Sequence, residues 1–243
     1  SGAPNTRRLP DVNRHQIIGP EPNRITAVTT SPDSRWLAWS NDQGRIAITE
    51  FDGRRPRVEF DSDLRNVQLR FSPGGKTLAV AGTGNPPIKL RSLFGDETNS
   101  LAAGEAAVSA VAFVGTGNRL AAAHASGELI IWNLETGKPF TKVASQPITC
   151  MAASSNGKWL VAGEQSGGLQ IWSTSSMSHS RVSGAHESQV LQVAFAPDDR
   201  SAVSVGQDGK IRCWRVPSLT CELTTKGSRD PVRDIAYCLD GST

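Results

Sequence analysis

An all-β fold of repeated small antiparallel sheets is what this sequence predicts, and three observations predict it. An apolar doublet, a polar turn, a small-apolar run, a second turn and an apolar run ending in Trp or a substitute recur along the 243 residues. The doublet ends at Thr30, Phe71, Phe113, Ala153, Phe195 and Tyr237, at steps of 41, 42, 40, 42 and 42 residues. Within each full copy the second turn follows 14 residues later, at Gly44, Asn85, Gly127, Gly167 and Gly209. A period this constant describes equivalent units, each too small to bury both faces alone, which must therefore stack on one another.

The first 14 residues read as a linker or tail, and residues 15–243 as one repeat domain. His15 to Ile18 reads as a lone outer strand. In the first copy, strand a is expected at Ile25 to Thr30, strand b at Trp36 to Ser40 and strand c at Arg45 to Thr49, each bounded by Gly, Asn, Asp or Pro. Strand c ends at the equivalent Trp132, Trp172 and Trp214 in later copies; in copy two Asn85-Pro86-Pro87 adds a turn residue and moves the end to Arg91. A weaker strand d follows, as at Phe140 to Val143 and Thr220 to Leu223. The sixth copy supplies strand a, Val232 to Tyr237, and then the turn Asp240-Gly241. Four antiparallel strands per unit of about 40 residues make one blade of a β-propeller. The expectation is five nearly complete blades plus strand a of a sixth, incomplete at the C-terminus, within a seven-bladed ring whose closure removes open sheet edges.

Composition agrees. The 37% apolar content, with 23 Gly and 14 Pro scattered at turn positions, suits one domain of many short strands. No apolar run is long enough to span a membrane as a helix, and the start does not read as a secretion signal. A net charge of +3 with interspersed signs does not call for nucleic acid. Two basic clusters, Arg7, Arg8 and Arg14, then Arg54, Arg55 and Arg57, lack the interleaved aromatics that stack bases and read as solvated loops.

The motifs Leu-Ile-Ile-Trp-Asn at Leu129 to Asn133, Leu-Gln-Ile-Trp-Ser at Leu169 to Ser173 and Ile-Arg-Cys-Trp-Arg at Ile211 to Arg215, with Ser-Pro-Asp-Ser from Ser31 and Ser-Pro-Gly-Gly from Ser72, resemble the WD40-repeat β-propellers over nearly the whole chain from about His15. Copy five is the most faithful: His186, Ser204, Asp208 and Trp214 match the family's hydrogen-bonding network, which ties outer strands to inner ones. The copies also depart from the pattern. No Trp is followed by Asp, copies one and two lack the Trp, and only copy five has the His. Degenerate repeats of this kind have a bacterial style, and Ser-Pro-Asp-Ser with Leu-Ala-Trp-Ser in copy one is also similar to TolB-type propeller repeats.

No catalytic, cofactor or metal constellation emerges. Cys150, Cys213, Cys221 and Cys238 form no C-x-x-C pair, and Cys213 and Cys221 miss direct opposition across their hairpin by about one residue. His15, His124 and His179 have no partner at ligand spacing, and His186 belongs to the network. Ser166 in Gly-Glu-Gln-Ser-Gly-Gly has Glu164 where a nucleophile elbow needs Gly, and a hairpin where it needs a helix. Gly82-Thr83-Gly84 and Gly115-Thr116-Gly117 open no helix that would hold a phosphate. Trp36 and Trp159 share one strand-b position, which suits packing between blades.

What the resemblance implies is a non-catalytic platform for protein or peptide partners, contacted through the d-to-a and b-to-c loops. The candidate residues are Arg24, Arg65, Glu105, Gln146, Glu187 and Arg229 before strand a, with Asp42, Ser126 and Gln165 in the b-to-c turns. Arginines at Arg24, Arg65 and Arg229 would favour an acidic peptide, because a guanidinium fork matches a carboxylate. The competing expectation is a regulatory or substrate-gating propeller fused to a catalytic domain such as a kinase, protease or hydrolase. A cytoplasmic setting is expected from the unpaired cysteines, a periplasmic one if a signal lies upstream.

Overall fold

In a computed structural model, residues 24–51, 58–95, 98–101 and 107–225 are described, with 232 and 235. Apolar runs of four to seven residues separated by tight polar turns form hairpin after hairpin, since no run is long enough for anything but a short strand. Blade one contains β1 (Ile25–Thr30), β2 (Trp36–Asn41), β3 (Arg45–Glu50) and β4 (Val58–Asp61). Blade two contains β5 (Arg65–Phe71), β6 (Thr77–Thr83), β7 (Ile88–Ser92) and β8 (Thr98–Leu101). Blade three has β9 (Val108–Val114), β10 (Arg119–His124), β11 (Glu128–Asn133) and β12 (Lys138–Ala144). Blade four has β13 (Ile148–Ala153), β14 (Trp159–Glu164), β15 (Leu169–Ser173) and β16 (His179–Val182). Blade five has β17 (Val190–Phe195), β18 (Ser201–Gly206), β19 (Ile211–Arg215) and β20 (Thr220–Thr225).

Each blade is a four-stranded antiparallel sheet with its strands in chain order, as the hairpin spacing requires. Strands b and c of blade one run one residue further than expected, and Arg65, expected just before strand a, is the first residue of β5. His15 to Ile18 lies outside the described residues. So does the sixth-copy strand, apart from Val232 and Ile235, neither of which lies in a strand.

The core is a series of layers between blades. Trp36, Leu69 and Leu78 fill the junction of blades one and two; Leu90, Phe113 and Trp132 that of two and three. Ile131, Met151 and Trp172 fill the next junction, and Val161, Val193 and Trp214 the last. Both faces of an inner blade are thus buried, so strands read as near-continuous apolar runs rather than as alternation. Trp36 is buried and Trp159 packs on the core of the last junction, so the shared strand-b position is used for packing. Val28 stands where Leu69, Val111, Met151 and Val193 stand in later blades; they are at most 4% exposed against the preceding blade, whereas Val28 is 62% exposed.

All five inner strands begin with a bulge against strand b. In three of them a hydroxyl at the bulge, from Thr26, Ser109 or Thr149, donates to a strand-b carbonyl, of Ser40, Ala123 and Gly163 respectively. The extra residue bends each inner strand where it enters the loop face.

Candidate functional site

The b-to-c turn in each blade reverses the chain in a few residues, leaving backbone donors that hairpin pairing does not satisfy. Blade one supplies an acceptor from Asn41, whose side-chain oxygen takes the N–H groups of Gln43 and Arg45, each at 3.0 Å. Blade five supplies it from Asp208, which accepts from the N–H of Lys210 at 3.1 Å and from that of Glu187 at 3.2 Å.

Asp208 also accepts from His186 Nδ1 at 2.9 Å, and His186 Nε2 lies 2.7 Å from Ser204 Oγ. The Trp214 indole N–H donates to the same Oγ at 2.8 Å. One proton assignment satisfies all three contacts: Nδ1–H donates to the carboxylate, Nε2 accepts the hydroxyl proton, and a hydroxyl lone pair accepts from the indole. A side chain at Gly206 would fall on the His186 ring, so the glycine is what admits it. The four residues matched by family resemblance are therefore in mutual contact. Burial lowers the His186 pKa, outweighing Asp208; Arg212, with Nη1 2.8 Å from Nδ1, lowers it further. Burial alone would raise the Asp208 pKa, but hydrogen bonds from His186, two backbone N–H groups and Arg212 lower it well below the usual carboxylate range.

Blade four holds the matching turn with a different set of residues that sequence reasoning missed. Glu164 is fully buried, and Arg181 on β16 grips it with Nε to Oε1 and Nη2 to Oε2, both 2.6 Å. Gln170 and Ser166 donate to the same carboxylate, each at 2.7 Å. Burial would raise the Glu164 pKa, but these donors and the Arg181 charge lower it. Gly168 leaves the space that the carboxylate fills. Ser166 is thus a turn hydroxyl bonded to a buried acid, in a hairpin.

The sequence candidates collect on one rim. Arg24, Gln146, Glu187, Asp42, Ser126 and Gln165 are all exposed in the loops that open each inner strand or join strands b and c, and Arg65 is exposed at the start of β5. Glu105 and Arg229 lie outside the described residues, as do the two arginine clusters. A backbone link fixes these loops to one another. Asp42, Ala125, Gln165 and Gln207 donate their N–H to the carbonyls of Arg24, Ala107, Pro147 and Gln189 at 2.8–3.0 Å. In blade two the equivalent residues, Arg65 and Thr83, are register partners of β5 and β6. Five such rungs project side chains from rigid backbone, which is where recognition concentrates. Lys89 pairs with Asp63, Arg45 with Glu59 and Lys210 with Glu187 beside them.

On the opposite rim the strand a-to-b turns surround the mouth of a cavity of about 910 Å³ along the axis, lined by Thr30, Phe71, Phe113, Ala153 and Phe195 and by Ile235. Asp199 ties two turns together there: its carboxylate accepts from the N–H and hydroxyl of Ser155 at 2.7 Å each and from the N–H of Asn156 at 2.8 Å. Cys150, Cys213 and Cys221 are free thiols; burial pushes the Cys150 thiol up to about 11 and raises that of Cys213. Trp214 pairs with Cys221 and Cys213 with Leu223, a one-position offset. Among the described residues, no three His, Cys, Asp or Glu side chains gather as metal ligands.

A family model described as "WD domain, G-beta repeat" matches residues 138–173 and 178–215. Among curated proteins, the chain is 30% identical over 109 residues to polyadenylation factor subunit 2 of Candida albicans, covering 44% of this chain and 20% of that protein. It is 24% identical to periodic tryptophan protein 2 of Saccharomyces cerevisiae, over 89% of this chain and 28% of that protein. Its identity to the LST8 homolog of Drosophila melanogaster is 24%, over 80% of this chain and 66% of that protein. The chain thus spans about a fifth of the first of these relatives.

Proposed function

This chain carries WD40 repeats on propeller blades, and from that premise we propose that it is a non-catalytic scaffold that binds protein or peptide partners through the rim of d-to-a and b-to-c loops. The observation that carries the reading is the set of backbone rungs, which hold varied and mostly exposed side chains at equivalent places on all five blades. WD40 propellers are in general non-catalytic scaffolds; that this chain catalyses nothing is part of the proposal, since fold alone does not decide function. The partner is taken as acidic on the strength of Arg24 and Arg65, with Arg229 as the third cation. The setting proposed is the cytoplasm, which the free thiols of Cys150, Cys213 and Cys221 support. Nucleic acid is not the proposed ligand, because several rim cations are already paired with carboxylates. A membrane is not part of the proposal; no helix among the described residues is long and apolar enough to cross one. The competing reading is a gating propeller joined to a catalytic domain in the parent protein; its support is the small share of the first relatives that this chain spans.

The test is quantitative affinity capture from cell extract with three forms of the chain: unaltered, altered on the rim (Arg24→Glu, Gln165→Ala, Glu187→Lys), and altered on the opposite rim (Lys76→Glu, Lys158→Glu). The scaffold reading expects a defined set of partners to be lost only by the first variant. Equal recovery by all three forms would defeat it. The acidic preference is tested apart, by changing Arg24, Arg65 and Arg229 together to Glu; partners retained in full would sink that preference alone.

A further inference from the structure

The five rungs differ in chemistry around the rim. Rung one presents Arg24 and Asp42, and rung two Arg65 and Thr83. Rung three presents Ala107 and Ala125, rung four Pro147 and Gln165, and rung five Gln189 and Gln207. Three of these ten residues are charged, Arg24, Asp42 and Arg65, and both cations lie on the first two rungs. Among the described residues, no carboxylate pairs with Arg24 or Arg65, although Arg45, Lys89 and Lys210 on the same rim each have one. Asp42 shares the rung of Arg24 through the backbone, so Arg65, opposite the neutral Thr83, is the stronger anion site. At the other end the exposed Glu187 carboxylate is paired with Lys210, so that end offers an acid no net attraction.

We infer that the rim takes an extended peptide that is acidic at one end only, its carboxylates over Arg24 and Arg65 and its uncharged remainder over the glutamine rungs of blades four and five. The inference rests on the scaffold reading and assigns that site its partner chemistry. Unpaired guanidiniums give forked, charge-assisted bonds to carboxylates. The rung of Ala107 and Ala125 offers no polar side-chain atom, so the segment crossing it needs only a small residue. Each glutamine amide supplies an acceptor and two donors, which match both the N–H and the C=O of an extended chain without selecting charge. A uniformly acidic chain gains nothing at its far end, where the glutamine rungs are uncharged and the Glu187–Lys210 pair is neutral.

The experiment is selection of phage-displayed random 12-residue peptides on the full chain, followed by binding measurements on the enriched peptides. Asp and Glu are expected to be confined to one half of the enriched sequences. The pair Arg24→Glu with Arg65→Glu should weaken a selected peptide about tenfold or more and abolish the salt sensitivity of its binding. The pair Gln189→Ala with Gln207→Ala should weaken it about threefold with salt sensitivity unchanged. Unaltered melting temperatures identify these losses as losses of contact. Acidic residues absent from the enriched peptides or spread along their length, or full binding to the double glutamate variant, would overturn the inference. Peptides that compete at the rim yet carry no acidic half would leave the scaffold reading standing while this one fell; a chain that enriches no peptide would count against both.

Discussion

His186 is held at both ring nitrogens, so it works as a rivet only while neutral at Nε2, where it accepts from Ser204. Its lowered pKa has a definite sign for stability. The unfolded chain takes up a proton near the ordinary value of about 6.5 that the folded chain declines, so the contribution of His186 is complete above that pH and is lost as pH falls below it. Asp208 and Glu164, also lowered, act in the same direction below the ordinary carboxylate range, near about 4. The urea midpoint should therefore fall between pH 7.5 and pH 5.5 in the unaltered chain and change less in a His186→Gln variant. An equal fall in both would remove the histidine from the account. The four residues of this network were legible in the sequence because each side chain type stands at a family offset. The role of Gly206 was not, since the need for an absent side chain appears only when the ring is seen lying on it.

At the scale of the element, blades four and five each bury an acid near the b-to-c turn and hold it with unrelated side chains. In blade five the acid is in the turn itself, at Asp208; in blade four it is Glu164 at the end of β14, and the cation comes from the outer strand, 17 residues away. Arg181 therefore joins strand d to strand b across the intervening β15. Changing Arg181 to Met leaves a buried carboxylate without its charge partner, at a cost of roughly 3 kcal/mol, reduced to the extent that water reaches the half-exposed arginine site. Restoring neutrality with Glu164→Gln in the same chain should recover part of the loss. Denaturant unfolding of the single and double variants measures both; a double variant no more stable than Arg181→Met would mean that the charge is not what Arg181 contributes. A period of about 40 residues exposes what copies share, and this pair is what one copy has alone, which is why the repeat did not reveal it.

Across the whole molecule, burial is organised in junctions, each made by two neighbouring blades, so stability should add between distant junctions and couple within one. Trp132 lies between blades two and three and Trp214 between four and five, with no core residue in common. Trp132→Leu and Trp214→Leu should each destabilise by about 2 kcal/mol and sum to within about 0.5 kcal/mol in the double variant. Trp132→Leu with Leu120→Ala, both in one junction, should deviate from the sum. Full additivity in both pairs, or strong coupling in the distant one, would contradict the layered core; the measurement is urea unfolding of the single and double variants.

The strand order, the turn positions and the all-β class were settled by the chain itself, because a 40-residue period of short apolar runs and Gly-rich turns permits little except consecutive hairpins that stack. The starts of strands a, b and c in blade one could be placed to the residue, whereas strand d of blade three begins at Lys138, two residues before the expected Phe140. Tertiary structure decided what lies beside what: that Arg181 reaches Glu164, that Asp199 joins two turns, and that five backbone rungs arrange Arg24, Arg65, Gln165, Gln189 and Gln207 along one rim. The physical reason is that a repeat fixes local backbone geometry through short-range sterics and patterning, whereas pairings between side chains on different strands or blades depend on bulges, on small residues that leave room, and on which donors lie within reach of a buried acceptor.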